Sequence, residues 1–131
     1  MKSQAPFPPE GPGAADPLLR DVRRAGLLPL MVLHFIAREP CYGNGLIDRI
    51  AWLTAGTVAV NPNTMYPLLR SLEARGLIAG EWESPRESGR RFYRITPAGN
   101  EERRRLAGGM GPHLDAVVAS VEVIRTELLE R

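Results

Sequence analysis

Cysteine is almost missing from this chain. Cys41 stands alone among 131 residues, so no internal disulfide can form. A chain of this length can bury a core without such staples, and a single free thiol fits a reducing compartment. Lysine is nearly absent too: of 17 basic residues, only Lys2 is a lysine. No apolar run reaches the roughly 20 residues that span a bilayer, and no apolar core follows Lys2 to make a signal peptide. The expectation is one soluble, cytoplasmic protein. Spacings that mark a metal site are lacking as well: there is no His-x-x-x-His, no Cys-x-x-Cys and no carboxylate–histidine pattern. His34 sits in an apolar stretch and reads as a core histidine, and His113 follows a glycine-rich run and reads as exposed. Cys41 has no neighbouring base in sequence to make it a nucleophile. The run Gly108-Gly109-Met110-Gly111 follows no strand and is therefore no dinucleotide loop. No enzyme, cofactor or metal is expected.

Net charge is also small, at +2, so bulk charge does not announce a polyanionic partner. What is present is arginine. Its planar fork suits phosphate oxygens and guanine edges. A genome-wide bias toward arginine codons is the alternative source of that usage.

Residues 1–17, MKSQAPFPPEGPGAADP, hold five prolines and two glycines and read as a disordered tail. Asp16 is a candidate cap for a short helix over 18–25 that Gly26 interrupts. Residues 27–39 are densely apolar, with Leu30, Leu33, Ile36 and Ala37 at helical spacing up to Pro40. A shorter helix follows over 43–54, with Leu46, Ile47, Ile50 and Leu53 on its apolar face and Gly56 ending it. The β-branched TVAV at 57–60 is either an edge strand or an extended link.

The stretch NPNTMYPLLRSLEARGL, residues 61–77, has a proline inside a helical pattern. At about 100° per residue, Met65, Leu68, Leu69 and Leu72 share one stripe, while Asn63, Pro67, Arg70 and Ala74 share the opposite face. Asn61 and Asn63 are rival caps: the first puts Pro67 where it kinks the start, the second puts it at the end of the first turn. Gly76 stops the helix. Strands are predicted over 77–84 and 91–96, joined by the turn-rich loop 85–90. Thr96 caps a last helix, which the GGMGP run at 108–112 should break or bend. From there Leu114, Val117, Val121, Ile124 and Leu128 step by 3, 4, 3 and 4, a seam of two heptads. The seam either pairs with the same helix of another copy or packs on its own domain. The predicted fold is mainly α with a small β-hairpin: a winged helix-turn-helix over 18–96, then a helical dimerisation region over 97–131.

In such a module the second helix of the pair enters the major groove by its N-terminal residues. Asn63, Tyr66 and Arg70 stand on the outer side of the 61–77 helix, with Asn61 and Thr64 at its tip. Asparagine can pair bidentately with adenine and arginine with guanine, and the free amides of the helix end favour a phosphate. Arg86, Arg90, Arg91 and Arg94 cluster on the wing, suited to the phosphate backbone; Glu81 and Glu83 could instead pair with them.

The stretches NTMYPLLRSLEARGLI and RRFYRITPAG resemble the PadR family of bacterial transcriptional regulators. The matching positions are Thr64, Tyr66, Pro67, Leu68, Leu69, Leu72, Glu73, Gly76 and Leu77, then Phe92, Tyr93, Thr96 and Gly99, with Pro40 and Gly43 upstream. The resemblance covers roughly residues 27–107. It implies a winged-helix DNA-binding domain, homodimerisation through the C-terminal helix, repression as the usual mode, and release by small aromatic or drug-like ligands. It carries DNA contact onto the Tyr66 region and the wing arginines. Where the family has Tyr-Glu after the glycine, this chain has Asn44 and Gly45, so Tyr42 is the candidate to replace the tyrosine's phosphate contact and Asn44 joins the DNA-facing set. The 97–131 region has no aromatic besides His113, which disfavours a flat ligand sandwiched there. The expected function is a sequence-specific repressor that binds a pseudo-palindromic, double-stranded operator as a homodimer and is open to release by a small-molecule effector. The alternative is a winged-helix module that binds a partner protein without DNA.

Overall fold

The structure, a computed structural model, describes residues 17–84 and 90–129. Residues 1–16 of the predicted tail over 1–17, the Asp16 cap and Arg86 lie outside the described residues, while Pro17 belongs to a helical turn. A single turn of 3-10 helix, Pro17–Leu19, runs into α1 (Arg20–Arg24), so the expected helix over 18–25 is split in two. α2 (Leu27–Arg38) follows. Met31, Val32, Leu33, Phe35 and Ile36 are all buried on it. A helix this apolar on most of its circumference has to sit at the centre, and α2 packs against α1, α3, α5 and the sheet. Leu30 is only half-buried, and so is His34, whose ring meets Phe35 edge-on at 5.0 Å.

α3 (Gly43–Leu53) buries Leu46 and Ile50 and half-buries Ile47. Leu53, expected on that apolar face, is 47% exposed beside Trp52 at 77%, because no other described element packs over the last turn of α3. Residues 57–60 form an extended link and no strand; Val58 and Val60 tuck against the core, and the Val58 amide donates to Thr54 Oγ1 at 3.2 Å.

α4 (Pro62–Ala74) is capped by Asn61, whose Oδ1 accepts from the Thr64 amide at 3.0 Å. Pro67 removes the amide that would bond the Asn63 carbonyl, yet the helix runs on unbroken. The position is exposed, so water can serve that carbonyl. Met65, Leu69 and Leu72 are essentially sealed from solvent and hold the helix to the core. Burial of each such side chain stabilises by about 1.5–3 kcal/mol. Gly76, at φ 76°, turns the chain out of α4.

The wing is β2 (Ile78–Trp82) and β3 (Arg91–Ile95), paired antiparallel with Ile78 opposite Ile95 and Trp82 opposite Arg91. A two-residue strand, β1 (Cys41–Tyr42), adds to the far edge of β3 and gives the order β1-β3-β2. No periodicity argument reaches a strand of two residues.

α5 (Pro97–Leu129) is one helix of 33 residues, about 50 Å at the usual rise. Thr96 caps it, accepting from the Gly99 amide at 3.0 Å while donating to the Gly76 carbonyl at 2.7 Å. The break expected at 108–112 does not occur. Gly108, Gly109 and Gly111 are exposed and Met110 is buried to 2%. Each helical glycine costs about 1 kcal/mol relative to alanine and Pro112, also inside the helix, about 3; Gly108, whose carbonyl Pro112 leaves unbonded, is exposed so water can serve it, and buried Met110 holds the turn to the body. Up to about Ser120 α5 runs beside the body, where Ala116, Val117 and Ser120 face Leu18 and Asp21; from Val121 to Leu129 every side chain is exposed. No described helix is long and apolar enough to cross a membrane.

Candidate nucleic-acid interface

The core stripe of α4 dictates what the helix shows outward. With Met65, Leu69 and Leu72 facing in, Asn61, Pro62, Asn63 and Thr64 are exposed at its tip, and Pro67, Arg70 and Ala74 along its outer face. Asn61 is committed as the cap through its Oδ1. Arg70 makes no hydrogen bond or ion pair with any described residue. Tyr66 lies on the flank, half-buried, and donates its hydroxyl to Asn44 Oδ1 at 3.3 Å. A Cβ on Gly43 would stand 2.6 Å from the Tyr66 ring, so glycine at 43 is what lets the N-terminus of α3 touch α4. This contact is the physical content of the Gly43 and Tyr66 pair that sequence matching singles out.

The wing stands beside α4 and is clamped to it. Arg91 Nη2 donates to Glu73 Oε2 at 2.8 Å, and the Gly80 amide donates to the same oxygen at 3.2 Å. The Arg91 guanidinium occupies the space that a side chain at Gly80 would need. It also lies over the rings of Trp82 (5.2 Å) and Tyr93 (5.8 Å). Arg91, taken from the sequence as a phosphate contact, is thus half-buried and committed to the helix–wing joint. The sequence marks Glu73 only as a position of the family pattern; the hint to its role is Gly80, since glycine inside a strand often marks a close approach.

The other two described wing arginines, Arg90 and Arg94, are paired as well. Arg90 stacks over Tyr42 at 3.9 Å and lies 3.5 Å from Glu83, and Arg94 Nη2 meets Glu81 Oε1 at 2.6 Å. All four of these partners are largely in solvent, where such pairs are weak and easily exchanged. Tyr42 donates to Glu83 at 3.3 Å and meets Phe92 edge-on at 6.0 Å. The tyrosine proposed to replace the family's own is therefore held by the wing.

Cys41 is buried under the same corner, its Sγ 3.2 Å from the Glu39 carbonyl oxygen and 3.4 Å from Arg49 Nη1. Burial pushes the thiol above its usual range, against the pull of Arg49 and with some help from Glu39. The folded thiol then holds its proton longer than the unfolded one. Its contribution to stability is complete below the unfolded value of about 8.5 and fades as pH rises past it. Native Cys41 is expected to label with a thiol reagent near pH 8 far more slowly than in denaturant. Equal rates would mean the thiol is open to solvent.

Leu114, Val121, Ile124 and Leu128 are exposed in the single chain and Val117 is half-buried. Among the described residues, only the Val117 end of the seam lies beside another element, near Leu18 and Asp21.

The architecture and these motifs are shared with known proteins. Residues 32–105 match the model of the Transcriptional regulator PadR-like family. The chain is 38% identical over 96 residues to Transcriptional regulator Rv3488 of Mycobacterium tuberculosis, covering 67% of this chain and 82% of that protein. Among solved structures it superposes on a PadR family transcriptional regulator from Eggerthella lenta with a TM-score of 0.63 at 33% identity, covering 81% of this chain and 90% of that one. A PadR-like transcriptional regulator from Bacillus cereus gives 0.60 at 25% identity, covering 81% and 96%.

Proposed function

The chain belongs to the PadR-like family of transcriptional regulators, and from that premise we propose that it is a sequence-specific DNA-binding repressor acting as a homodimer in the cytoplasm. Residues 18–96 form the DNA-binding unit and 97–131 the dimerisation region. The observation that carries the reading is the outer face of α4: Asn63 and Arg70 are exposed on a helix whose opposite face is sealed in the core, next to a wing bearing Arg90 and Arg94. Asn63 and Arg70 read base edges in the major groove; Arg90 and Arg94 exchange Glu83 and Glu81 for backbone phosphates. Two copies joined along the α5 seam present two such helices to half-sites about 34 Å apart, which makes the operator pseudo-palindromic. Occupancy of a promoter then blocks transcription.

The test is binding to the DNA upstream of its own gene, at two salt concentrations and against competitor DNA. Binding that survives competitor identifies the operator. Binding that vanishes with salt and competitor sinks the reading and favours a protein partner. Arg70→Ala is expected to cost about 1–3 kcal/mol and to relax preference at one base position. A uniform loss across sequences would make Arg70 a backbone contact. Glu83→Gln acts in the opposite direction. It frees Arg90 from its intramolecular partner and removes a negative charge beside the DNA, so affinity should rise about 3-fold on every sequence, on the scale of one exposed ion pair. An unchanged or weaker affinity would place Arg90 away from the duplex.

A further inference from the structure

We propose that the basic face of α1 is a second phosphate-binding edge of the DNA interface, holding the strand that the wing does not reach. This edge rests on the DNA-binding reading above. α1 carries Arg20, Arg23 and Arg24 against the single carboxylate of Asp21, a surplus of two positive charges, three less one. The net charge of the whole chain is +2. Its other basic and acidic residues therefore balance, and the excess resides on this five-residue helix.

The three arginines share one face. They stand three and four residues apart, the spacing of neighbours on a helix surface, and all three are exposed. The opposite face of α1 is occupied. Val22 is sealed from solvent, and Leu18 and Asp21 line a crevice with Pro112, His113 and Ser120 of α5. Gly26, at φ 99°, makes the turn into α2, and Leu106 of α5 fills the space that a Cβ there would take. The basic face thus projects from a backbone that Val22 and Gly26 hold in place.

Its position relative to α4 gives it a partner. Arg23 lines a crevice with Leu27, Val58, Asn61 and Thr64, the last two at the tip of α4. The wing borders α4 along Tyr66, Arg70 and Glu73. At about 100° per residue, Thr64 lies roughly 160° around the helix from Tyr66. α1 and the wing therefore stand on opposite flanks of α4, with the outer face of Asn63 and Arg70 between them. A helix seated in a major groove about 12 Å wide has a phosphate strand along each side. Arg90 and Arg94 of the wing serve one strand, and the guanidinium forks of α1 serve the other.

The test uses the full chain and a labelled duplex of about 30 base pairs of arbitrary sequence, because phosphate contacts are blind to sequence. Fluorescence anisotropy reads affinity between about 50 and 200 mM salt. A variant carrying Arg20→Gln, Arg23→Gln and Arg24→Gln should lower the slope of log affinity against log salt by at least about 2. That is about 0.9 for each lost phosphate contact, with one contact in each half of a dimer. The advantage of the parent over this variant then shrinks about 10-fold across the same salt range. Arg23→Gln alone, beside the α4 tip, should account for most of the drop and guards against a triple variant that does not fold. Replacing the same three arginines with lysine keeps the charge and should keep the slope, which a purely structural role would not. Circular dichroism and sedimentation velocity check fold and assembly. An unchanged slope in a folded triple variant, or in Arg23→Gln where the triple variant does not fold, overturns the proposal. So does a lysine variant whose slope falls as far as that of the glutamine variant. A parent that binds no duplex removes the DNA-binding reading and this edge together; a parent that binds, beside a glutamine variant of equal slope, removes the edge alone.

Discussion

Val121→Glu is expected to turn a dimer into a monomer in sedimentation velocity, and to weaken operator binding by about 10²- to 10⁴-fold. That is the range by which tethering two binding modules exceeds one alone. Val121 lies in the middle of the seam, 39% exposed in the single chain, between Val117 and Ile124. Paired with a second copy, a carboxylate there would be buried without a partner, which an interface of this size cannot absorb. In the single chain it meets water, so the winged-helix core keeps its fold, and circular dichroism is the control. Residues 121–129 run past the described body, with Ile124, Leu128 and Leu129 in solvent. An unsupported helix of that length is marginal in water, and an apolar row of that extent asks for a partner. A Val121→Glu protein that remained a dimer would put the interface elsewhere.

Gly99→Ala should lower the melting temperature by about 10 °C, corresponding to a loss of about 3 kcal/mol for a domain of this size. A Cβ at 99 would overlap the Leu77 carbonyl oxygen and stand 2.8 Å from Ile95 Cγ1. That carbonyl cannot step aside freely, because it accepts from the Thr96 amide at 3.2 Å, and Thr96 is tied in turn to the Gly76 carbonyl at 2.7 Å. The start of α5, the end of α4 and the start of β2 meet at this one point. Gly108→Ala, in the same helix, should do the reverse. A Cβ there meets nothing within 4 Å, so alanine removes the helical penalty of glycine and should stabilise by about 1 kcal/mol. Differential scanning calorimetry of the two variants reads both signs. A neutral Gly99→Ala would mean the junction is loose. A destabilising Gly108→Ala would mean that α5 is not continuous there or that a second copy lies close.

The legible parts of this protein were those governed by neighbours in sequence. Apolar spacing placed α2 and α4; it named Met65, Leu69 and Leu72 on the buried face of α4, but on α2 it found Leu33 and Ile36 and passed over Met31, Val32 and Phe35. Turn residues and alternating strands placed the wing, and Thr96 announced the start of α5. From these the order of elements, and with it the winged helix, could be read directly, and so could the outer face of α4 that presents Asn63 and Arg70. Such signals are local, because helix period, strand alternation and capping act within about one or two turns.

What only the tertiary structure decided involved partners far apart in sequence. β1 exists because Cys41 and Tyr42 find β3 about fifty residues on, and two residues carry no period of their own. Arg91 became part of the helix–wing joint because Glu73 and Gly80 converge on it, which no charge count along the wing could reveal. Leu53 faces solvent because no described element reaches over it, although its spacing is that of a core residue. The glycine run was read as a break because intrinsic propensity is all that a sequence displays there. Packing of Met110 against the body, a property of the assembled fold, offsets part of what Gly108, Gly109, Gly111 and Pro112 cost the helix.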